Sequence, residues 1–189
     1  MRAFAAVVVA VLLTGCGGGS SARHAASAPA AAAPVSGPGP CQAPTVHRTP
    51  YPGHGQGLDG LPWIAGAPAD TGLIGLLWYW PPRWRTVHDA RIWTGGQAPA
   101  GYSTKILWVF LGHDAADRAD TELRVAGRRM DGPGRFSDSF TGIGYEGSGG
   151  APSYASIIDI PRPGCWRLTL TTGSLRATVD IQAVPAPSS

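Results

Sequence analysis

Hydrophobic and polar residues alternate regularly in two stretches near the C-terminal end of the chain. In CWRLTLTT, residues 165–172, a tryptophan and two leucines alternate with polar residues, and in LRATVDIQAV, residues 175–184, apolar residues again take every second position. Alternation with a period of two is typical of a strand that has one buried and one exposed face. The intervening pair, Gly173 and Ser174, is typical of a tight turn. The pattern therefore predicts an antiparallel β-hairpin.

Shorter strands are predicted upstream of this hairpin. Their sequences are LIGLLWYW (73–80), RIWT (91–94), KILWVFLG (105–112), TELRVAGRRM (121–130) and YASIIDIP (154–161). KILWVFLG is apolar at successive positions, which predicts a central strand buried on both faces. HDAADRAD, residues 113–120, is long enough for one helical turn but has no apolar stripe. About seven short strands separated by turns predict an all-β fold, a sandwich of two antiparallel sheets.

Composition agrees with this fold class and narrows the classes of function. The 27 glycines and 18 prolines among 189 residues favour many turns and short elements over long helices. The net charge of +3 is small, and the basic residues are scattered along the chain, so nothing indicates a nucleic-acid partner.

The beginning of the chain has the pattern of an export signal. Arg2 precedes an apolar run, residues 3–13, which has the length of a signal-peptide core and is too short to span a bilayer. The run ends in Leu13-Thr14-Gly15-Cys16, which resembles the lipobox of bacterial lipoproteins. The resemblance implies cleavage after residue 15 and diacylglyceryl attachment to Cys16, often with a further acyl chain such as palmitate. An ordinary secretory signal that happens to carry a cysteine is the alternative.

The residues that follow predict a spacer. Residues 17–40 consist mainly of glycine, serine, alanine and proline, which cannot bury enough apolar surface to offset the entropy of ordering. The sequence therefore predicts a signal peptide at 1–15, a lipidated disordered tether at 16–40, a β-sandwich domain at 41–184 and a disordered tail at 185–189. The expected location is the extracytoplasmic face of a cell membrane, to which the lipid anchor holds the protein.

The middle and end of the domain resemble an uncharacterised group of Gram-positive bacterial lipoproteins. The shared pieces are KILW, VAGRRMD (125–131), PSY (152–154) and PRPGCWRLTL (161–170), of which Pro-Gly-Cys-Trp is the most specific. The resemblance covers roughly residues 63–184. It implies an immunoglobulin-like sandwich and no known activity.

The two remaining cysteines, Cys41 and Cys165, are predicted to form a disulfide, because paired thiols in an exported protein are usually oxidised. Neighbouring residues of a strand point to opposite faces. If Trp166 points into the core, the bridge should therefore staple the N-terminal segment across an outer face or an edge. Two free thiols are the alternative.

Motifs for catalysis, cofactors or metals are weak. Residues 142–147 match G-x-G-x-x-G but are followed by SGGAP, which cannot open the helix that a dinucleotide site needs. Ser148 lacks the first glycine of a serine elbow, since Glu146 stands there. The aspartates that recur at 114, 117 and 120 do not have the spacing of a calcium loop, and the histidines are dispersed. We therefore expect no catalytic residue, cofactor or metal.

Aromatic residues give the one signal for binding. WYWPPRW, residues 78–84, holds four aromatic rings, and the candidate ligand surface comprises Trp78, Tyr79, Trp80, Arg83 and Trp84. In a strand, the first and third of these would share one face and the second would take the other. Exposed rings beside arginines would suit a glycan, a proline-rich peptide or a protein. Burial of both faces is the alternative.

These observations favour a non-catalytic binding or assembly module of the cell envelope. Two alternatives stay open at this level. One is a hydrolase of envelope polymers, and the other is a structural or sensory accessory subunit of a membrane complex.

Overall fold

The computed structural model describes five parts of the chain, residues 41–52, 60–96, 104–113, 122–142 and 150–186. The predicted signal peptide, Cys16 and the tether lie outside the described residues. So do most of the stretch predicted as a single helical turn and the last three residues of the chain.

In the described parts of the chain, nine strands form two sheets that pack face to face. Sheet I contains, in spatial order, β1 (Trp63–Ala65), β2 (Leu73–Leu77), β4 (Lys105–Phe110) and β7 (Ser153–Ile157). Sheet II contains β3 (Arg91–Trp93), β9 (Leu175–Val184), β8 (Gly164–Thr172), β5 (Glu122–Arg129) and β6 (Arg135–Thr141). Two short 3-10 helices span Ala69–Thr71 and Pro82–Trp84. The prediction of an all-β sandwich is confirmed.

The strand order is that of an immunoglobulin-like domain. β4 pairs with β7 in one sheet, as strands B and E do, while β9, β8, β5 and β6 follow one another in the other, as strands G, F, C and C′ do. The pairing of β3 with β9 is parallel, which departs from the predicted purely antiparallel sheets. Every other strand pairing in the two sheets is antiparallel.

The C-terminal hairpin forms as the alternation predicts. β8 and β9 pair in register from Gly164 opposite Ala183 to Thr172 opposite Leu175. Gly173 has a φ of 52°, the left-handed conformation that a tight turn requires and that glycine adopts without strain. The odd-numbered apolar residues of β9 and the even-numbered ones of β8 are buried. The residues between them are partly or fully exposed, apart from the buried Cys165.

Sheet I is buried on both faces along its two central strands, β2 and β4, as the apolar run of β4 predicts. Its inner face contributes Trp108 and Phe110 to the core between the sheets, where Trp166 of sheet II is also fully buried. Its outer face carries a second cluster that includes Leu107 and Val109, packed with Tyr51 from outside the sheet. The prediction of a central strand with two dry faces is therefore confirmed for β4.

Two strand predictions need correction, and two strands, the three-residue β1 and β6, were not predicted. The strand predicted over 73–80 ends at Leu77, and the one predicted over 154–161 ends at Ile157. Ile158 and Ile160 are nonetheless fully buried, so their apolar character reflects core packing without strand pairing. β6 was not predicted, because in RFSDSFT the inward-facing Phe136 and Phe140 are separated by Asp138, which interrupts the apolar alternation.

Residues at the start of β8 form a tight corner. Gly164 has a φ of 139°, and a Cβ atom there would lie 2.7 Å from a carboxylate oxygen of Asp131. That carboxylate accepts a hydrogen bond of 3.1 Å from the backbone N–H of Cys165 and one of 2.6 Å from Arg129 Nε. The sequence pieces VAGRRMD and PGCW therefore meet at this corner.

The corner also holds the N-terminal segment. Cys41 and Cys165 are joined by a disulfide with a Cα–Cα distance of 5.3 Å, which confirms the predicted pair. The segment after Cys41 runs along one edge of the sandwich, where His47 exchanges backbone hydrogen bonds of 2.8 and 3.0 Å with Trp63 of β1. Ala67 exchanges two more with Thr178 of β9, at 2.8 and 2.7 Å. The N-terminal part of the domain is thus paired with its last strand.

Loss of the disulfide should destabilise the domain. We expect the double variant Cys41→Ser/Cys165→Ser to lose about 4–5 kcal/mol of unfolding free energy, since the bridge closes a long loop in the unfolded chain. The two cysteines are 124 residues apart. Urea unfolding of oxidised wild type and variant gives the difference. Addition of a reductant should shift the wild-type midpoint and leave that of the variant unchanged, and an unchanged wild-type midpoint would contradict the role of the bridge.

Candidate functional site

The aromatic segment lies where the chain leaves sheet I at the end of β2. Trp78 still donates its backbone N–H to Lys105 O at 3.2 Å, but Trp80 already donates to Leu77 O at 3.4 Å, which closes a turn. Pro81 and Pro82 have no N–H to extend a ladder, and Pro82 instead begins a 3-10 helix. The prediction that residues 78–80 continue the strand is therefore wrong, and the alternation of a strand does not set which rings are exposed.

Two of the predicted ligand residues belong to the core. Tyr79 and Trp84 are each only 7% exposed and pack against the fully buried Trp93, with ring centroids 6.1 and 5.0 Å away. The Tyr79 hydroxyl donates to the carbonyl oxygen of Arg91, and burial raises the pKa of Tyr79 well above its usual value. The structure therefore removes Tyr79 and Trp84 from the candidate ligand surface.

Trp80 and Arg83 occupy intermediate positions. Trp80 is partly buried, its ring centroid lies 4.9 Å from that of Trp84, and its indole N–H donates to Trp84 O at 3.2 Å. The guanidinium of Arg83 lies 5.3 Å from the centre of the Trp93 ring, within cation–π range. Arg83 thus covers an edge of the core, and Trp80 presents ring surface without a free N–H.

Trp78 is the most exposed large hydrophobic residue among those described, at 45% of its surface. The ammonium group of Lys105 lies 4.4 Å from the centre of its ring. Ile157, which is 43% exposed, pairs in register with Lys105 across sheet I. Exposed apolar surface flanked by a cation is therefore present at this end of the sheet.

A groove runs between Trp78 and Trp80. It has a volume of about 470 Å³, and we call it the tryptophan groove. Its lining residues are Arg48, Gly60, Leu61, Pro62, Leu77, Trp78, Trp80, Pro81, Pro82 and Arg85. The guanidinium of Arg48 is fixed by two hydrogen bonds of 3.0 Å to the carbonyl oxygens of Trp84 and Val87. The groove thus combines ring surfaces, proline rings and two positive charges.

Sequence reasoning missed part of this groove. Arg48 lies 36 residues before the carbonyl group to which its side chain bonds, and Pro62 comes from the approach to β1. No local pattern marks these residues as neighbours of the tryptophans. Arg85 stood beside the predicted aromatic patch and does line the groove.

The chemistry of the groove suits binding. Aromatic and proline rings offer flat apolar surface, and the arginines offer fixed positive charge that can orient a ligand.

The described parts of the chain hold no group of three or more histidine, cysteine, aspartate or glutamate side chains that could bind a metal ion. The glycine-rich motif after Gly142, Ser148 and the aspartates at 114, 117 and 120 lie outside the described residues.

No family model matches the chain, and neither the curated proteins nor the solved structures include a significant match. None of the helices among the described residues is long and apolar enough to cross a lipid bilayer. The fold and the groove together describe this protein as an immunoglobulin-like sandwich. It has an aromatic, cationic groove at one end of sheet I.

Two tryptophans of the segment should differ sharply in their effect on stability. We expect Trp84→Ala to lower the unfolding free energy by roughly 3–5 kcal/mol, because it leaves a cavity beside Trp93. The matched change Trp78→Ala removes an exposed ring and should cost about 1 kcal/mol or less. Urea unfolding followed by circular dichroism measures both values, and equal losses would show that the assigned burial is incorrect.

Proposed function

We propose that the protein is a membrane-anchored, extracytoplasmic lipoprotein whose sandwich domain is a non-catalytic binding module of the cell envelope. The lipobox at residues 13–16 supports the anchor, and residues 17–40 would hold the domain away from the bilayer. The disulfide supports a location outside the cytoplasm, because reducing systems inside cells keep such thiols apart.

The proposal that the domain binds a ligand rests on the tryptophan groove. The indole of Trp78 is 45% exposed and lines the groove with three prolines and two arginines, so a ligand in the groove would bury apolar surface. The indole N–H of Trp80 is engaged by Trp84 O, so the ring contributes its face and not a hydrogen-bond donor. Stacking of a sugar ring needs such a face, and we therefore propose a glycan as the ligand.

Glycan binding can be tested by tryptophan fluorescence. We expect soluble peptidoglycan fragments to shift the emission of the wild-type protein, and Trp78→Ala to weaken binding by about tenfold or more, because a central aromatic anchor dominates such contacts. Ile157→Ser removes an exposed apolar side chain outside the groove and serves as the control, with affinity unchanged.

A proline-rich peptide forms the second arm of this experiment. If the peptide binds in the groove and the glycan fragments do not, a glycan is the wrong class of ligand. The tryptophan groove would still be the binding site. If Trp78→Ala binds the fragments as tightly as the wild type, the groove is not the contact surface.

The lipid anchor has its own test. We expect the wild-type protein to fractionate with membranes and Cys16→Ala to lose that association, because several acyl chains on one residue hold a protein stably on a bilayer. Mass spectrometry of the mature N-terminus should find an acylated cysteine at position 16. A mature chain that begins there without acyl mass, and that occurs free in the medium, would contradict the anchor.

A further inference from the structure

The outer face of sheet II is open, in contrast to that of sheet I. On β5 and β6, the residues that point away from the core are exposed, whereas the outward residues of β2 and β4 belong to the second apolar cluster. The middle of the outer face of sheet II is built from small side chains, including Ala126, Ser137 and Thr169, which lie side by side across three strands. The face is therefore a shallow, polar surface without a large apolar side chain at its centre.

Three arginines stand side by side on this face. Arg128 of β5 pairs directly with Arg135 of β6 on one side and with Arg167 of β8 on the other. Neighbouring strands are about 4.8 Å apart, so the three side chains rise from the sheet in a line at that spacing. We call these residues the arginine row. Like charges directly opposite each other on adjacent strands destabilise a sheet.

The sheet neutralises one member of the row. Arg167 forms a two-pronged ion pair with Asp180 of β9, with N–O distances of 2.7 and 2.8 Å. The hydrogen bonds to this carboxylate raise the pKa of Arg167. Arg128 and Arg135, both exposed, have no ion pair within the described parts of the chain.

Asp131, which follows β5 close to the row, is already engaged, since it is paired with Arg129 at 2.6 Å. Glu122 lies at the opposite end of β5 and is paired with Arg124 at 2.8 Å. Two positive charges at adjacent positions are therefore left for an external partner. Beyond Arg167, the row leads to a recess of about 230 Å³ whose lining includes Asp180, Thr178 and Gln42.

We infer that the arginine row binds a linear polymer of phosphate groups that crosses the strands of sheet II. Planar guanidinium groups match phosphate oxygens with paired hydrogen bonds. Arg128 and Arg135 are exposed at directly opposite positions of adjacent strands, so one chain of anions that crosses the strands can contact both. On the same face, Arg124 is paired with Glu122, and Arg176 lies at the other end of the β8–β9 hairpin. The centre of the face also lacks the apolar side chains that insert into a bilayer or anchor a protein partner.

This inference does not depend on the proposed glycan site. The arginine row lies on sheet II, whereas the tryptophan groove is built around the end of β2 in sheet I. Variants of one surface should therefore leave the other unaffected.

Long-chain inorganic polyphosphate serves as the probe, with binding to the full-length protein measured by calorimetry at several salt concentrations. We expect saturable binding that weakens as salt rises, because released counterions drive such association. Arg128→Ser/Arg135→Ser should reduce the affinity at low salt by about tenfold or more, at roughly fivefold for each basic residue near a polyanion. Arg85→Ser, which removes one arginine of the tryptophan groove, is the control matched to the single variant Arg128→Ser. Arg128→Ser should lose about fivefold in affinity, and Arg85→Ser should bind polyphosphate as the wild type does.

A stability measurement distinguishes a lost contact from a damaged fold. Arg128→Ser should melt at the same temperature as the wild type or higher in low salt, since it removes a repulsion between neighbouring charges. Reduced binding together with this melting behaviour supports the inference.

Three results would overturn it. One is an equal loss of polyphosphate affinity in Arg85→Ser, which would indicate a response to net charge alone. Another is a failure of polyphosphate to bind while phosphatidylglycerol vesicles bind through Arg128 and Arg135, which would assign the face to a membrane. The third is equal displacement of polyphosphate by orthophosphate at the same phosphate concentration, which would indicate a site for single ions.

Discussion

The corner at the start of β8 is the constraint on which much of this structure depends. Gly164 adopts a backbone conformation that brings the N–H of Cys165 onto the carboxylate of Asp131, and a side chain at position 164 would displace that carboxylate. From this fixed point Trp166 enters the core, where its indole N–H donates to Arg162 O at 2.9 Å, while Cys165 holds Cys41. One short stretch therefore joins the core, the β5–β6 end of sheet II and the N-terminal segment.

The two sheets divide the surface of the domain between them. In the central strands of sheet I, both faces take part in apolar packing. Sheet I therefore offers contact surface mainly at its end, near Trp78, which directly follows β2. Sheet II buries one face and presents the other as a polar surface that carries the arginine row. The groove proposed for a glycan and the row proposed for phosphate groups therefore share no residue.

The sequence predicted those parts of the fold that local patterns encode. Alternation in β8 and β9 and the continuous apolar run of β4 follow directly from which faces are buried. The disulfide could be expected because two cysteines remain once the lipobox is set aside. By contrast, burial of Tyr79 and Trp84 depends on Trp93, and the groove depends on Arg48, and both are distant along the chain. The arginine row was also invisible, because it arises from the register of β6, β5 and β8.

The last strand, β9, provides backbone hydrogen-bond partners for residues in the early part of the domain. β9 gives one part of its edge to Ala67 and another to β3, and the neighbouring β8 holds Cys41. The early part of the domain therefore completes its backbone pairing only with residues of the domain's last two strands. A chain interrupted before β9 would leave Ala67 and β3 without these partners, so closure of the sandwich requires residues that are far apart along the chain.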